Sequence, residues 1–328
     1  MKGFGWILSL AVLMVVAPAM APAFDKPKHE PITEMVAEVY NVYARDHGLQ
    51  ILDASEIQTI VRGSVSEDHA NIFHPCETIR RLKNWHFYDP YPEGEHRIKP
   101  VEDKLLGHVE RSLHARFNSL TATLENDLTT TEKNRQHAYN VLGRILHYIE
   151  DMGVPAHVAP IYHVKPEFGY GWIVKLAGEK AIPDGFDAYA PASPVKAEVL
   201  ISDKAFMDKI SSASPNSGGD FESTLKAFLK GLAEDTREKV ASDPRWLNLW
   251  TLKGEGGWGE KSEKEGFVEY GKPGSLGFST ETGVCNDTGI TRGACDSFYR
   301  NRLQAVVKTS VELLVFVQSK LGSQLHGK

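Results

Sequence analysis

Cysteine is scarce in this chain of 328 residues: there are three, and no two have Cys-x-x-Cys spacing. A thiolate zinc site is therefore not indicated. Cys285 and Cys295 flank a Gly/Asn/Asp/Thr-rich loop and can pair in an oxidising compartment, which leaves Cys76 as a buried free thiol. Positive charge is in short supply too. Lys and Arg number 37 against 43 Asp and Glu, a net charge of -6, which argues against a generic polyanion-binding surface but leaves room for a local basic cleft. The apolar run Ile7 to Val16 is too short to span a membrane comfortably. Alternating strands, a βαβ pattern, internal repeats and long linkers are all missing, which excludes the common parallel-sheet architectures.

What is present is helical periodicity over a globular composition, 41% hydrophobic and 24% charged. Ile32 to Tyr43 carries apolar residues at helical steps, with Pro31 at the start. Ser55 to Val61 predicts a short helix and Leu105 to Leu124 a long one. Thr129-x-x-Glu132 reads as a capping box opening a helix that runs to about Met152 and is ended by Val154-Pro155. Glu222 to Val240 and Phe298 to Leu321 complete the pattern, and residues 243–297, rich in Gly, Trp and Ser, receive no assignment. The expectation is an all-α fold, one multi-helical domain.

The N-terminal residues 1–23 have the form of a secretory signal, with Lys2 as a basic start and Ala21-Pro22-Ala23 as a small-residue cleavage site. Cutting after Ala21 would leave Pro22 first, which peptidases disfavour; cutting after Ala23 exposes Phe24. No cysteine near the cut offers a lipid anchor. A secreted or periplasmic mature chain of residues 24–328 is expected.

The chemistry concentrates between His147 and Glu167. His147 and Asp151 are four apart, one turn from each other on one helix face. They share a polar stripe with Asn140 and Arg144, opposite a core stripe of Ala138, Val141, Leu142, Ile145 and Ile149. A lone His-x3-Asp pair is ordinarily a solvated face. Here Pro155 turns the chain, His157 follows, and His163-x3-Glu167 repeats the spacing. Imidazoles with carboxylates are the ligands zinc takes in hydrolytic sites. Upstream, His29, Asp68 and His86 are weaker candidates, each with an ordinary structural role open to it.

In order, His29, Glu67-Asp68, Trp85-His86, His147-x3-Asp151-x5-His157 and His163-x3-Glu167 resemble the zinc-dependent phospholipase C and P1/S1 nuclease superfamily. The resemblance implies three zinc ions per chain in the cleft of an all-helical domain. By position, one would be held by Asp68, His86, His147 and Asp151, and a second by His157, His163 and Glu167. The third would take His29, a bridging Asp151, and the main-chain nitrogen and oxygen of Phe24, where the family normally has Trp. The interval from His157 to His163 is shorter than in the family. Asp187 in DGFDAY is thus a rival to Glu167, which is preferred for its one-turn spacing. The resemblance further implies hydrolysis of a phosphoric ester, with Asp68 orienting or deprotonating the attacking water. Arg144, on the ligand-bearing stripe, would touch phosphate or brace a ligand carboxylate, and the second is preferred. The substrate would be a phospholipid or a nucleic-acid phosphodiester, the second needing aromatics such as Trp85, Phe87, Tyr88, Tyr162 or Tyr170 to stack a base. A helical protein in which metals only stabilise the fold is the non-enzymatic alternative. No stable membrane domain is expected and no protein partner is indicated.

Overall fold

The computed structural model describes residues 26–67, 86–89, 101–103, 107–109, 112–129, 134–158, 186, 189, 191–211, 220–246 and 290–325. Nine helices and one ribbon are defined among the described residues. They are α1 (Lys26–Asp46), α2 (Ala54–Glu67), β1 (Val101–Asp103), β2 (Gly107–Val109), α3 (His114–Thr129), α4 (Arg135–Asp151), α5 (Pro155–Val158), α6 (Ala197–Ser202), α7 (Lys204–Ser211), α8 (Phe221–Ala241) and α9 (Arg292–Leu325). The signal, Phe24, Asp68, Cys76, His163, Glu167, Asp187 and Cys285 lie outside the described residues.

The fold is mostly helical, and α4 is its hub, touching α1, α2, α3, α8 and α9. The expected core stripe of α4 is fully sequestered: Ala138, Val141, Leu142, Ile145 and Ile149 are all buried. Around it α1 contributes Val36 and Tyr40, α3 Phe117 and Leu124, and α9 Val306, Val311 and Leu314. Each such side chain stabilises the fold by about 1.5–3 kcal/mol. Met152, just past α4, is fixed from two other helices. Thr236 donates to its carbonyl at 2.7 Å and accepts from the buried Arg302, which also pairs with Asp235 at 2.7 Å. Among the described residues, no helix is long and apolar enough to cross a membrane.

Several boundaries differ from the sequence expectation. Helix α1 begins at Lys26 rather than at Ile32, with Pro31 inside it. The missing Pro31 N–H forfeits one ladder bond. Tertiary ties hold the first turns regardless, through Lys28 to the Tyr189 carbonyl at 2.5 Å and through His29. The Leu105–Leu124 helix is not formed as such. Gly107–Val109 pairs antiparallel with Val101–Asp103, and the Leu113 N–H is committed to the Phe87 carbonyl at 2.9 Å, so α3 starts only at His114. Thr129 does not cap α4, since it is the last residue of α3, and Asn134 at the α4 N-cap makes no side-chain cap bond. The reciprocal box is Asp53 and Glu56 at the start of α2. Asp53 accepts from Ser55 and Glu56 N–H, both at 2.8 Å, and Glu56 accepts from the Asp53 N–H at 2.9 Å.

Helix α2 runs on past Val61 through Gly63 because the glycine is needed there. A Cβ on Gly63 would lie 2.1 Å from the Asn140 carbonyl oxygen, and one on Gly143 would lie 1.9 Å from that of Ile60. The two backbones touch, and no flexible side chain stands between them to give way. On α8, by contrast, a Cβ at Gly231 would meet nothing within 4 Å. We expect Gly143→Ala to lose about 3 kcal/mol through overpacking, and Gly231→Ala to gain about 1 kcal/mol from helix propensity. Urea unfolding of both variants checks this, and equal effects would contradict the contact.

Candidate metal centre

Four segments bring imidazoles and carboxylates to one end of α4. Helix α4 presents His147 and Asp151, both fully buried, one turn apart. Helix α1 delivers His29, also fully buried, and the 86–89 segment delivers His86 at 14% side-chain exposure. The single turn α5, opened by Pro155, brings His157 to 2% exposure.

Asp151 sits among them. Its Oδ1 faces His29 Nε2 at 3.7 Å, while its Oδ2 faces His86 Nδ1 at 2.8 Å and His147 Nε2 at 3.5 Å. His147 Nε2 and His86 Nδ1 are 3.1 Å apart, and the His29 and His147 rings stack at 4.0 Å. Ligand atoms of a tetrahedral ion with bonds near 2.0–2.1 Å stand about 3.3 Å from one another, so these separations fit one cation with little rearrangement. The buried group His29, His147 and Asp151, with donor atoms within 4.8 Å of one another, can hold a metal ion.

Behind these donors lies a carboxylate that sequence spacing does not single out. Glu150 is fully buried and faces His29 Nδ1 at 2.5 Å through Oε2. Thr33 donates to its Oε1 at 2.7 Å and Ser64 to its Oε2 at 3.4 Å. With Nδ1 held by the carboxylate, His29 turns Nε2 toward Asp151, the usual arrangement of a metal-binding histidine and its supporting acid. Burial pushes His29 down to about 4, with Asp151 opposing and His86 adding to the fall. Burial also lifts Glu150 to about 8 against the bonds from Thr33 and Ser64. At neutral pH His29 is thus the uncharged imidazole that a metal requires.

His157 is oriented differently. Its Nδ1 donates to the His86 carbonyl at 3.0 Å, its own carbonyl accepts from Tyr88 N–H at 2.9 Å, and its ring stacks on Phe87 at 5.1 Å. These ties strap the 86–89 segment to α5 and leave Nε2 as the acceptor nitrogen of the neutral ring. Phe87 and Tyr88 are 3% and 4% exposed, so neither presents a face for a base. His114 and His137 serve elsewhere, on the Asp89 carbonyl and on Asp127.

Arg144 braces Glu67 at 3.4 Å rather than Asp151. Glu67 is itself buried at the end of α2, gripped by Arg116 and by the Tyr148 hydroxyl. A cavity of about 470 Å³ between α7, α8 and α9, lined by Phe206, Phe228 and Arg302 among others, shares no residue with the histidine cluster. Cys295 is buried and disulfide-bonded; the other two cysteines lie outside the described residues. Compared with known proteins, the chain matches no family model and no curated protein.

The Glu150–His29 pair predicts a pH response in protein treated with a chelator. From pH 6.5 to 8 the folded chain keeps a proton on Glu150 that the unfolded chain has lost, so stability falls as pH rises through that window. Between 4.5 and 6.5 the lowered His29 opposes this slope, because there the unfolded chain protonates His29 while the folded chain does not. Urea midpoints at pH 6.5 and 8 measure the fall, and Glu150→Gln should flatten it. A parent whose midpoint rises with pH in this window contradicts the assignment.

Proposed function

We propose that this protein is a secreted zinc-dependent phosphoric ester hydrolase of the phospholipase C/P1 nuclease type, phospholipase C-like in substrate. The convergence of His29, His86 and His147 on the two oxygens of one buried Asp151 carries the reading. Its chemistry is that of a carboxylate able to bridge cations, with Oδ1 serving the His29 side and Oδ2 the His86 and His147 side. The disulfide at Cys295 accords with an oxidising compartment.

In this reading His147, His86, Asp151 and Asp68 would hold one zinc. His29, Asp151 and the main chain of Phe24 would hold another. His157, His163 and Glu167, with Asp187 as the rival acid, would hold a third. Bound zinc supplies Lewis acidity toward phosphoryl oxygens and makes nucleophilic water accessible near neutral pH. Asp68 would orient the attacking water and accept its proton. One P–O bond forms from that water as the ester P–O bond breaks, and the leaving alkoxide takes up a proton. His29 is held by Glu150 and His157 by the His86 carbonyl, so each presents its ring without a reorientation step. The burial of Phe87 and Tyr88 removes two candidate base-stacking aromatics, which favours the phospholipid substrate over single-stranded nucleic acid.

Elemental analysis of the purified mature chain should give three zinc per molecule, and N-terminal sequencing should give Phe24 as its first residue. His147→Ala and Asp151→Ala should each lose zinc and at least about a hundredfold of activity toward bis(p-nitrophenyl) phosphate, as removal of a metal ligand and its charge implies. Release of diacylglycerol from phosphatidylcholine vesicles, compared with cleavage of single-stranded DNA, separates the two substrate classes. Full turnover by either variant refutes the proposal, and metal content without any phosphoester hydrolysis returns the site to a structural role.

A further inference from the structure

Arg144 stands on the ligand-bearing stripe of α4, one turn before His147 and two before Asp151. Its guanidinium is poorly used by the protein. Among the described residues its one ion pair is with Glu67, from Nη1 at 3.4 Å, and its Nε is buried with no hydrogen-bond acceptor. Charge-assisted bonds from a committed arginine are about 2.7–2.9 Å long. Glu67 has no need of a second cation: Arg116 grips both its oxygens at 2.8 and 3.1 Å, and Tyr148 donates to Oε1 at 3.0 Å. The remaining Nη protons of Arg144 are therefore uncommitted, while its Nε stays buried. The side chain is also 29% exposed, so it can be reached from outside the core.

We propose that Arg144 is an anion-binding residue of the metal site, engaging non-bridging oxygens of a phosphoryl group bound beside His147 and Asp151. The assignment rests on the hydrolase reading for its substrate, but not for its geometry. A planar guanidinium fits two phosphate oxygens at once, and the long 3.4 Å contact with Glu67 leaves Arg144 room to turn toward them. The residue would thus fix the phosphoryl group, rather than help to fold α4.

The test uses the full mature chain loaded with zinc and inorganic phosphate as the probe, followed by titration calorimetry. Arg144→Ala should weaken phosphate binding about ten- to a hundredfold, the worth of a hydrogen bond to a charged group. Arg144→Lys should recover part of the loss, and both variants should keep the parent's zinc content and thermal midpoint. The KM for bis(p-nitrophenyl) phosphate should rise in the same order. Phosphate binding that is equal in parent and Arg144→Ala, or absent in the parent, overturns the proposal. Hydrolysis that survives with phosphate affinity unmoved sinks Arg144 and spares the hydrolase. Arg144-dependent phosphate binding without any hydrolysis does the reverse. A structural role alone would lower the thermal midpoint and leave phosphate affinity in place.

Discussion

Two adjacent carboxylates, Glu150 and Asp151, lie side by side at the end of α4 with no exposure to water. An ion moved into a protein interior costs several kcal/mol even after relaxation, and two neighbouring ones also repel. The surrounding sequence meets this cost with donors rather than with lysine or arginine. Glu150 receives Thr33 and Ser64 and shares a proton with His29. Asp151 receives imidazoles from three separate segments. A cluster that buries Asp151 beside His29, an imidazole that burial keeps uncharged at neutral pH, has use for a further positive charge. It is well balanced as the inner surface of a cation site, because a divalent ion supplies the missing positive charge without adding bulk.

The same cluster explains why the segments around it take shapes that local propensity would not choose. Helix α1 tolerates a proline in its second turn because His29 and Thr33 anchor it to Glu150. The 86–89 segment is pinned through backbone groups at 86, 87 and 88, by His157 on one side and Leu113 on the other. That second bond also fixes where α3 can begin. Local boundaries here are consequences of the site.

His147 and Asp151 are legible in the sequence because both ride one helix, where a spacing of four guarantees a shared face. His157 is legible through Pro155. His29 and His86 are visible only as members of an ordered pattern, since no local period ties α1 or the 86–89 segment to α4. Glu150 is hidden by the same logic that reveals Asp151. It belongs to neither the apolar stripe nor the polar one, and its burial depends on α2 coming close enough for Ser64 to reach it. Gly63, two residues past the expected end of the short helix at Val61, is the contact that permits that approach. The Thr129 box fails because its motif is short and common, whereas Asp53 and Glu56 satisfy both halves of the same motif.

Fold and site meet along the α2–α4 line. In α2, Ile60, Gly63, Ser64 and Glu67 follow one another at helical steps. Opposite them in α4 lie Asn140, Gly143, Arg144, Tyr148 and Glu150. The glycine contact sets the distance between the helices. Beside that contact on α2, Ser64 reaches the acid that orients His29. At its end, Glu67 draws in Arg116, Tyr148 and Arg144. A change in helix separation would therefore act on the His29 anchor and on the Glu67 charge cluster together. Both are set by the same pair of missing Cβ atoms, and the geometry of the candidate metal centre is a property of backbone packing as much as of its side chains.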